Sequence, residues 1–308
     1  MGTSYHIKII DENIEDTEQL QRDVDTLLLT INQLFSTYIP DSEVSNFNRH
    51  NKTEPVEVSA EFVKVTKEAL AISQSTAGAY DITVGPLVNL WGFGPDFSEG
   101  DIPSDVDVQL ALSAIGYQHL VLDDAARTLK KTKPSLYVDF SSIAKGYGVD
   151  QVSKLLDRKG YRHYMVEIGG EMRLSGRNSQ GGQWRIAVEK PDSSTRAIQR
   201  VINISDTAIA TSGDYRNFFV KDGLRYSHTL DPITGRPVKH TLASVTVLAS
   251  SSMTADAWAT ALMVLGHKKG YDLAMENDLA VLFLVNDGDS VKEVMTPYFQ
   301  HIIEEHSS

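Results

Sequence analysis

The chain has 308 residues, 41% of them hydrophobic and 23% charged, enough for one large domain or about two ordinary ones. Its 41 acidic residues against 29 basic ones give a net charge of -12, which argues against nucleic acid or an anionic membrane surface as the main partner. The absence of cysteine excludes disulfides, thiolate metal sites and a cysteine nucleophile, but leaves the cellular compartment open.

The opening MGTSYHIKII reads as a strand rather than as a charged-then-apolar leader, so any export or anchoring segment is expected to lie outside these residues. No window approaches the roughly 18 to 20 apolar residues that cross a bilayer, and the chain as given is expected to be soluble. Leu20, Val24, Leu27, Leu28, Ile31, Leu34 and Phe35 have the spacing of an amphipathic helix over 16–35. A polar stretch, 36–55, reads as irregular, and a second helix fits 60–76. The segment GAYDITVGPLVNLWGFGP carries Gly78, Gly85, Pro86, Gly92, Gly94 and Pro95, punctuation that marks loops or close backbone approach rather than regular structure.

Strand-like runs follow near 119–122 and 135–140, and then a helix over about 145–159. Further strands are expected at 163–168, 172–176, 184–189, 200–204, 225–230, 243–249 and 279–285. Two helices are expected near the end, over 250–266 and 267–276. Strands interrupted by helices without regular alternation favour an α+β fold, and the lack of repeats or long linkers favours a single domain over 1–308.

Four segments carry possible chemistry. In SSSMTADAWATALMVLG, Asp256 and Thr260 lie one helical turn apart, where a carboxylate and a hydroxyl can share a hard cation. The same residues also suit an N-terminal turn and a bond to a carbonyl one turn back. In VDFSSIAKGYG, Asp139 ends a strand-like run, and Lys145 and Gly146 begin a helix. Such a corner can hold a phosphate or be an ordinary turn, and the Walker pattern is absent. In RYSHTLDPITGRPV, Asp231 to Gly235 reads as a turn, which makes Asp231 structural, while His228 beside it can be a general base or a structural histidine. In EIGGEMRLSG, Gly169 and Gly170 fit a close ligand approach and a glycine hairpin equally. ATSGDYRNFF adds hydroxyls at Thr211, Ser212 and Tyr215 without decisive spacing.

Taken together these five segments, with MGTSYHIKI, LFSTYIPDSEVSNFN and GAYDITVGPLVNLWGFGP, form eight blocks that resemble the ApbE-type flavin transferases, the FAD:protein FMN transferases, from Met1 to about Phe299. The resemblance implies an α+β fold with mainly antiparallel strands and packed helices. It implies an enzyme that uses FAD and Mg2+ to transfer FMN to a threonine hydroxyl of a target protein, releasing AMP. The expected target is a flavin-carrying subunit of a membrane redox pump. Metal ligation carries over to Asp256, Thr260 and the backbone carbonyl of Ser142, all hard oxygens. FAD contacts carry over to Met1, Tyr38, Ala79, Tyr80, Asp81, Asp139, Lys145 and Leu230, Met1 matching a methionine that is internal in the family. His228 is the expected base. Some relatives have an aspartate where Ala259 stands, so this site is one acid short of theirs. FAD hydrolysis to FMN and AMP, or FAD binding without turnover, are the alternative activities. The resemblance also implies a periplasmic protein lipid-anchored at the inner membrane.

Overall fold

The computed structural model describes residues 2–11, 14, 16–94, 102–191, 198–213, 218–221, 223–288 and 290–305. Seven strands, Tyr5–Ile9, Tyr164–Ile168, Glu171–Ser175, Ala208–Gly213, Leu242–Ala249, Ala280–Asp287 and Ser290–Met295, form one sheet whose spatial order is their chain order. Every pairing in it is antiparallel. It organises the first of two compact units, Met1–Leu29, Lys145–Arg216 and Thr241–Ser308.

Side-chain alternation gives this sheet two apolar faces. On one, Tyr164, Val166 and Ile168 pack against Leu20 and Val24 of helix Thr17–Phe35 and against Val149, Val152 and Leu156 of helix Ala144–Arg158. On the other, Leu174, Ile209, Leu248, Leu282 and Leu284 meet the hairpin Trp184–Glu189/Ile198–Ile204 and Phe299. Leu242 to Leu248 is buried at every position, as expected of a strand covered on both faces. Helix Ser252–Glu276 lies on this strand and on Ala208–Gly213.

The second unit comprises Thr30–Ala144 and Asn217–His240. It holds helix Ala60–Ser75, a small antiparallel sheet of Val56–Glu57, Thr128–Lys131 and Leu120–Asp123, and shorter helices. Phe35, Phe62 and Phe140 form one ring cluster, with edge-on centroid distances of 5.3 Å (Phe35–Phe140) and 5.0 Å (Phe62–Phe140). A second core gathers Leu87, Trp91, Val108, Ile115, Tyr226 and Leu230.

The α+β class and mainly antiparallel pairing are as expected, but several local readings change. The stretch 36–55 contains helix Glu43–Arg49, capped by Ser42, whose hydroxyl accepts from the Ser45 N–H; seven residues are too few to show a period. The glycine-rich segment contains helix Gly85–Leu90, which begins at Gly85 with Pro86 in the first turn, a position that needs no N–H. Close approach is nonetheless real there, since a Cβ on Gly85 would lie 2.4 Å from the Tyr137 ring. Residues 135–140 form no strand. The Asn48 side chain takes the backbone of Val138 instead, accepting its N–H at 2.7 Å and donating to its carbonyl at 2.8 Å. The run 225–230 is two strands, Leu224–Ser227 and Leu230–Asp231. The helices expected over 250–266 and 267–276 adjoin within Ser252–Glu276 and part where expected, at Gly266, whose φ of 74° and ψ of 169° are non-helical.

Candidate active site

Two helix N-termini meet in the first unit, and each is capped by a carboxylate from the other helix. Asp150, on helix Ala144–Arg158, accepts from the Ser251 hydroxyl at 2.7 Å and from the Ser252 and Met253 N–H groups at 2.8 and 3.1 Å. In return Asp256, on helix Ser252–Glu276, accepts the Gly146 N–H at 3.0 Å through Oδ2. Both carboxylates satisfy donors that the first helical turn leaves free, at the positive end of a helix dipole. The approach requires glycine at 146, because a Cβ there would lie 2.2 Å from the Ser252 carbonyl oxygen.

Lys145 sits between two acids. Its Nζ lies 2.5 Å from Glu171 Oε1 and 3.8 Å from Asp256 Oδ1, and both carboxylates are 3% exposed. Burial alone would lower the Lys145 ammonium, but the charges of Asp256 and Glu171 outweigh it and hold the pKa above its ordinary value. Burial raises Asp256, opposed by Lys145 and the Gly146 N–H. Burial, reinforced by the charge of Asp256, pushes Glu171 up to about 8 despite its contact with Lys145. Because burial raises both acids, a divalent cation binding beside them would displace a proton and take over the neutralisation of their carboxylates. Thr260 is half-buried one turn beyond Asp256, with its hydroxyl 3.4 Å from that of Ser212. Among the described residues no three His, Asp or Glu side chains gather as a metal cluster. Hard oxygen donors are nevertheless present in Asp256 and Thr260, and that donor set fits Mg2+, which keeps several waters. Ala259, fully buried, adds no oxygen.

In the second unit the corner after Val138 is held from several sides. The Asp139 N–H donates to the Ile82 carbonyl at 2.7 Å, and its carboxylate accepts the Ser141 N–H at 2.8 Å. Burial raises the Asp139 pKa, with those Ser141 bonds opposing. The Ser142 hydroxyl donates to the buried Tyr80 hydroxyl at 3.0 Å. Asp81 uses both oxygens internally, accepting from the Thr83 N–H and hydroxyl at 2.7 Å each and from the Tyr117 N–H at 2.8 Å. It organises a loop, and burial raises its pKa against those bonds. His228 follows strand Leu224–Ser227, half-buried, with its ring edge-on to Phe93 at 6.3 Å. Behind it Phe93 meets Phe219 at a tilt, Phe219, Tyr226 and Trp91 stack in series, and the Trp91 indole N–H donates to the Gly235 carbonyl at 2.8 Å. Asp231 accepts from the Ile233 N–H and the Thr234 hydroxyl, the structural turn expected of it.

Of the residues singled out from sequence, Lys145, Asp256 and Thr260 belong to the first unit. Tyr38, Ala79, Tyr80, Asp81, Asp139, Ser142, His228 and Leu230 belong to the second, and Met1 lies outside the described residues. Tyr38 is 70% exposed and presents an open ring, whereas Ala79, Tyr80 and Leu230 are buried. Sequence reasoning passed over Glu171, Asp150 and Asn48. Glu171 stands beside the paired glycines of its block, and an isolated acid in a strand gives no signal of its own.

A profile of the ApbE family matches residues 1–283. The chain belongs to the ApbE family. A FAD:protein FMN transferase of Vibrio cholerae is 49% identical over 301 residues, covering 97% of this chain and 90% of that one. One from Escherichia coli K12 is 40% identical over 305 residues, covering 98% and 87%. The solved flavin transferase ApbE of Vibrio cholerae superposes with a TM-score of 0.91 at 48% identity, covering 98% of this chain and 96% of that one. The flavinyl transferase ApbE of Pseudomonas stutzeri, in its apo form, gives 0.90 at 38% identity, covering 98% and 94%. The α+β architecture described above is therefore that of ApbE proteins.

Proposed function

We propose that this ApbE protein is an FAD:protein FMN transferase that uses Mg2+ to move FMN from FAD to a threonine hydroxyl of a flavin-carrying protein, a subunit of a membrane redox pump, with release of AMP. The observation that carries the reading is the 40–49% identity, over nearly the whole chain, to proteins of that name. His228 takes the proton of the threonine hydroxyl as its oxygen forms a bond to the FMN-side phosphorus. The bond from that phosphorus to the bridging pyrophosphate oxygen breaks, and AMP leaves with the electron pair. Lys145 offers its ammonium to a phosphate, the charge-assisted contact that suits it. Asp256, Thr260 and the Ser142 carbonyl are the ligands we assign to Mg2+, which supplies charge neutralisation at the pyrophosphate when bound.

FAD is placed against Tyr38, Tyr80, Asp81, Asp139, Ala79 and Leu230, with Met1 as a further contact. The exposed Tyr38 ring is the flat surface on which an aromatic ring can stack. The same reading locates the native protein in the periplasm, lipid-anchored at the inner membrane, which cell fractionation tests. Among the described residues no helix is long and apolar enough to cross a membrane.

The deciding experiment incubates the protein with FAD, Mg2+ and a threonine-bearing acceptor and follows intact acceptor mass and free flavin. A mass gain equal to one esterified FMN is expected. Free FMN without mass gain would make the protein an FAD pyrophosphatase, and neither product would make it an FAD-binding protein. His228→Ala is expected to slow transfer by about 10²–10⁴-fold, and Asp256→Ala to abolish the dependence on Mg2+. An undiminished rate for His228→Ala across pH would refute the base assignment.

A further inference from the structure

Glu171 is in direct contact with Lys145, and the proposed reaction gives it no task. It pairs with Ile168 across the sheet, so its side chain rises from the face that carries helices Thr17–Phe35 and Ala144–Arg158, not from the face under the hairpin. One of its oxygens, Oε1, holds Lys145 Nζ at 2.5 Å. The other, Oε2, is buried and has no hydrogen-bond partner among the described residues. A buried carboxylate oxygen left unsatisfied costs free energy, and an ion pair with a single contact does not offset it. The same ammonium lies 3.8 Å from Asp256 Oδ1, so both carboxylates converge on one cationic group.

We infer that Glu171 is a second carboxylate of the divalent cation site, offering Oε2 to the cation or to one of its waters while Oε1 retains Lys145. The inference rests on the proposed Mg2+ site at Asp256 and Thr260. Glu171 supplies, from the neighbouring strand, acidic charge that helix Ser252–Glu276 does not carry at Ala259. Mg2+ and Mn2+ both accept such oxygen donors, and Mg2+ tolerates water-mediated ones.

The test is calorimetric titration of the full chain with Mg2+, repeated with Mn2+ detected by electron paramagnetic resonance, both without FAD. Asp256→Asn is expected to lose binding, and Glu171→Gln to weaken it by about tenfold or more. To separate a direct contribution from one exerted through Lys145, Glu171→Gln is also placed in a Lys145→Met background, forming a double-mutant cycle. The same loss of affinity is expected there. Since that background leaves no ammonium unpaired, its comparison decides the matter if the Glu171→Gln single variant fails to fold. Wild-type affinity in Glu171→Gln, with binding lost in Asp256→Asn, would overturn this inference alone. A loss seen only when Lys145 is present would also overturn it, making Glu171 a positioning residue for the lysine. Unchanged binding in Asp256→Asn would instead bring down the cation site on which it rests.

Discussion

Lys131 shows at the residue scale how burial sets chemistry. It is 1% exposed, donates to the Asn48 carbonyl at 3.1 Å, and lies 5.0 Å above the centre of the Phe47 ring. Burial lowers its ammonium to about 8. The folded pKa is thus below the unfolded one, so between pH 8 and about 10.5 the unfolded chain holds a proton that the folded chain has released, and stability rises with pH in that window. Below pH 8 the cost of burying the charge is fully present. Lys131→Met is therefore expected to raise the unfolding midpoint by about 2–4 °C at pH 7, and scanning calorimetry should find the difference shrinking by pH 10. An equal difference at both pH values would exclude this account. At this scale the sequence named Asp256 and Thr260 because helical spacing puts them on one face. It could not name Glu171, whose meeting with Lys145 joins a strand to a helix that precedes it in the chain.

At the scale of elements, the reciprocal caps between helices Ala144–Arg158 and Ser252–Glu276 fix the carboxylate of Asp256. Asp150→Ala removes the acceptor for two N–H groups of the second helix and is expected to cost about 1–2 kcal/mol, measurable by urea denaturation. It should also weaken the Mg2+ binding proposed above, since the turn that carries Asp256 loses its anchor. A stability loss without any change in metal affinity would show that the cap holds the helix but not the site. Long amphipathic helices and the well-alternating strands were legible because their periods repeat over many residues. Short elements such as Glu43–Arg49 and Gly85–Leu90 were not, since a cap or a proline in the first turn defines them more than any period does. The run 135–140 had strand composition, yet Asn48, some ninety residues earlier, takes the backbone bonds a partner strand would have made.

For the whole molecule, the seven-stranded sheet of the first unit places its best-protected backbone in Leu242–Ala249, paired on both sides and buried on both faces. Hydrogen exchange followed by NMR or mass spectrometry is expected to find the amides of Val245, Thr246 and Val247 among the slowest, with the edge strand Tyr5–Ile9 exchanging faster. The reverse order would mean that this sheet is not the most stable part of the fold. The sequence by itself determined the α+β class, the principal helices and strands, the family, and the residue types able to serve FAD and a hard cation, because composition, periodicity and ordered motifs are properties of neighbouring residues along the chain. Only the tertiary structure decided that Asp150 and Asp256 cap each other's helices, that Gly146 permits their approach, and that Glu171 faces the same ammonium as Asp256. Those contacts join residues about 25 to 110 positions apart, and burial, which raises the pKa values of Asp256 and Glu171, exists only once the chain has folded around them.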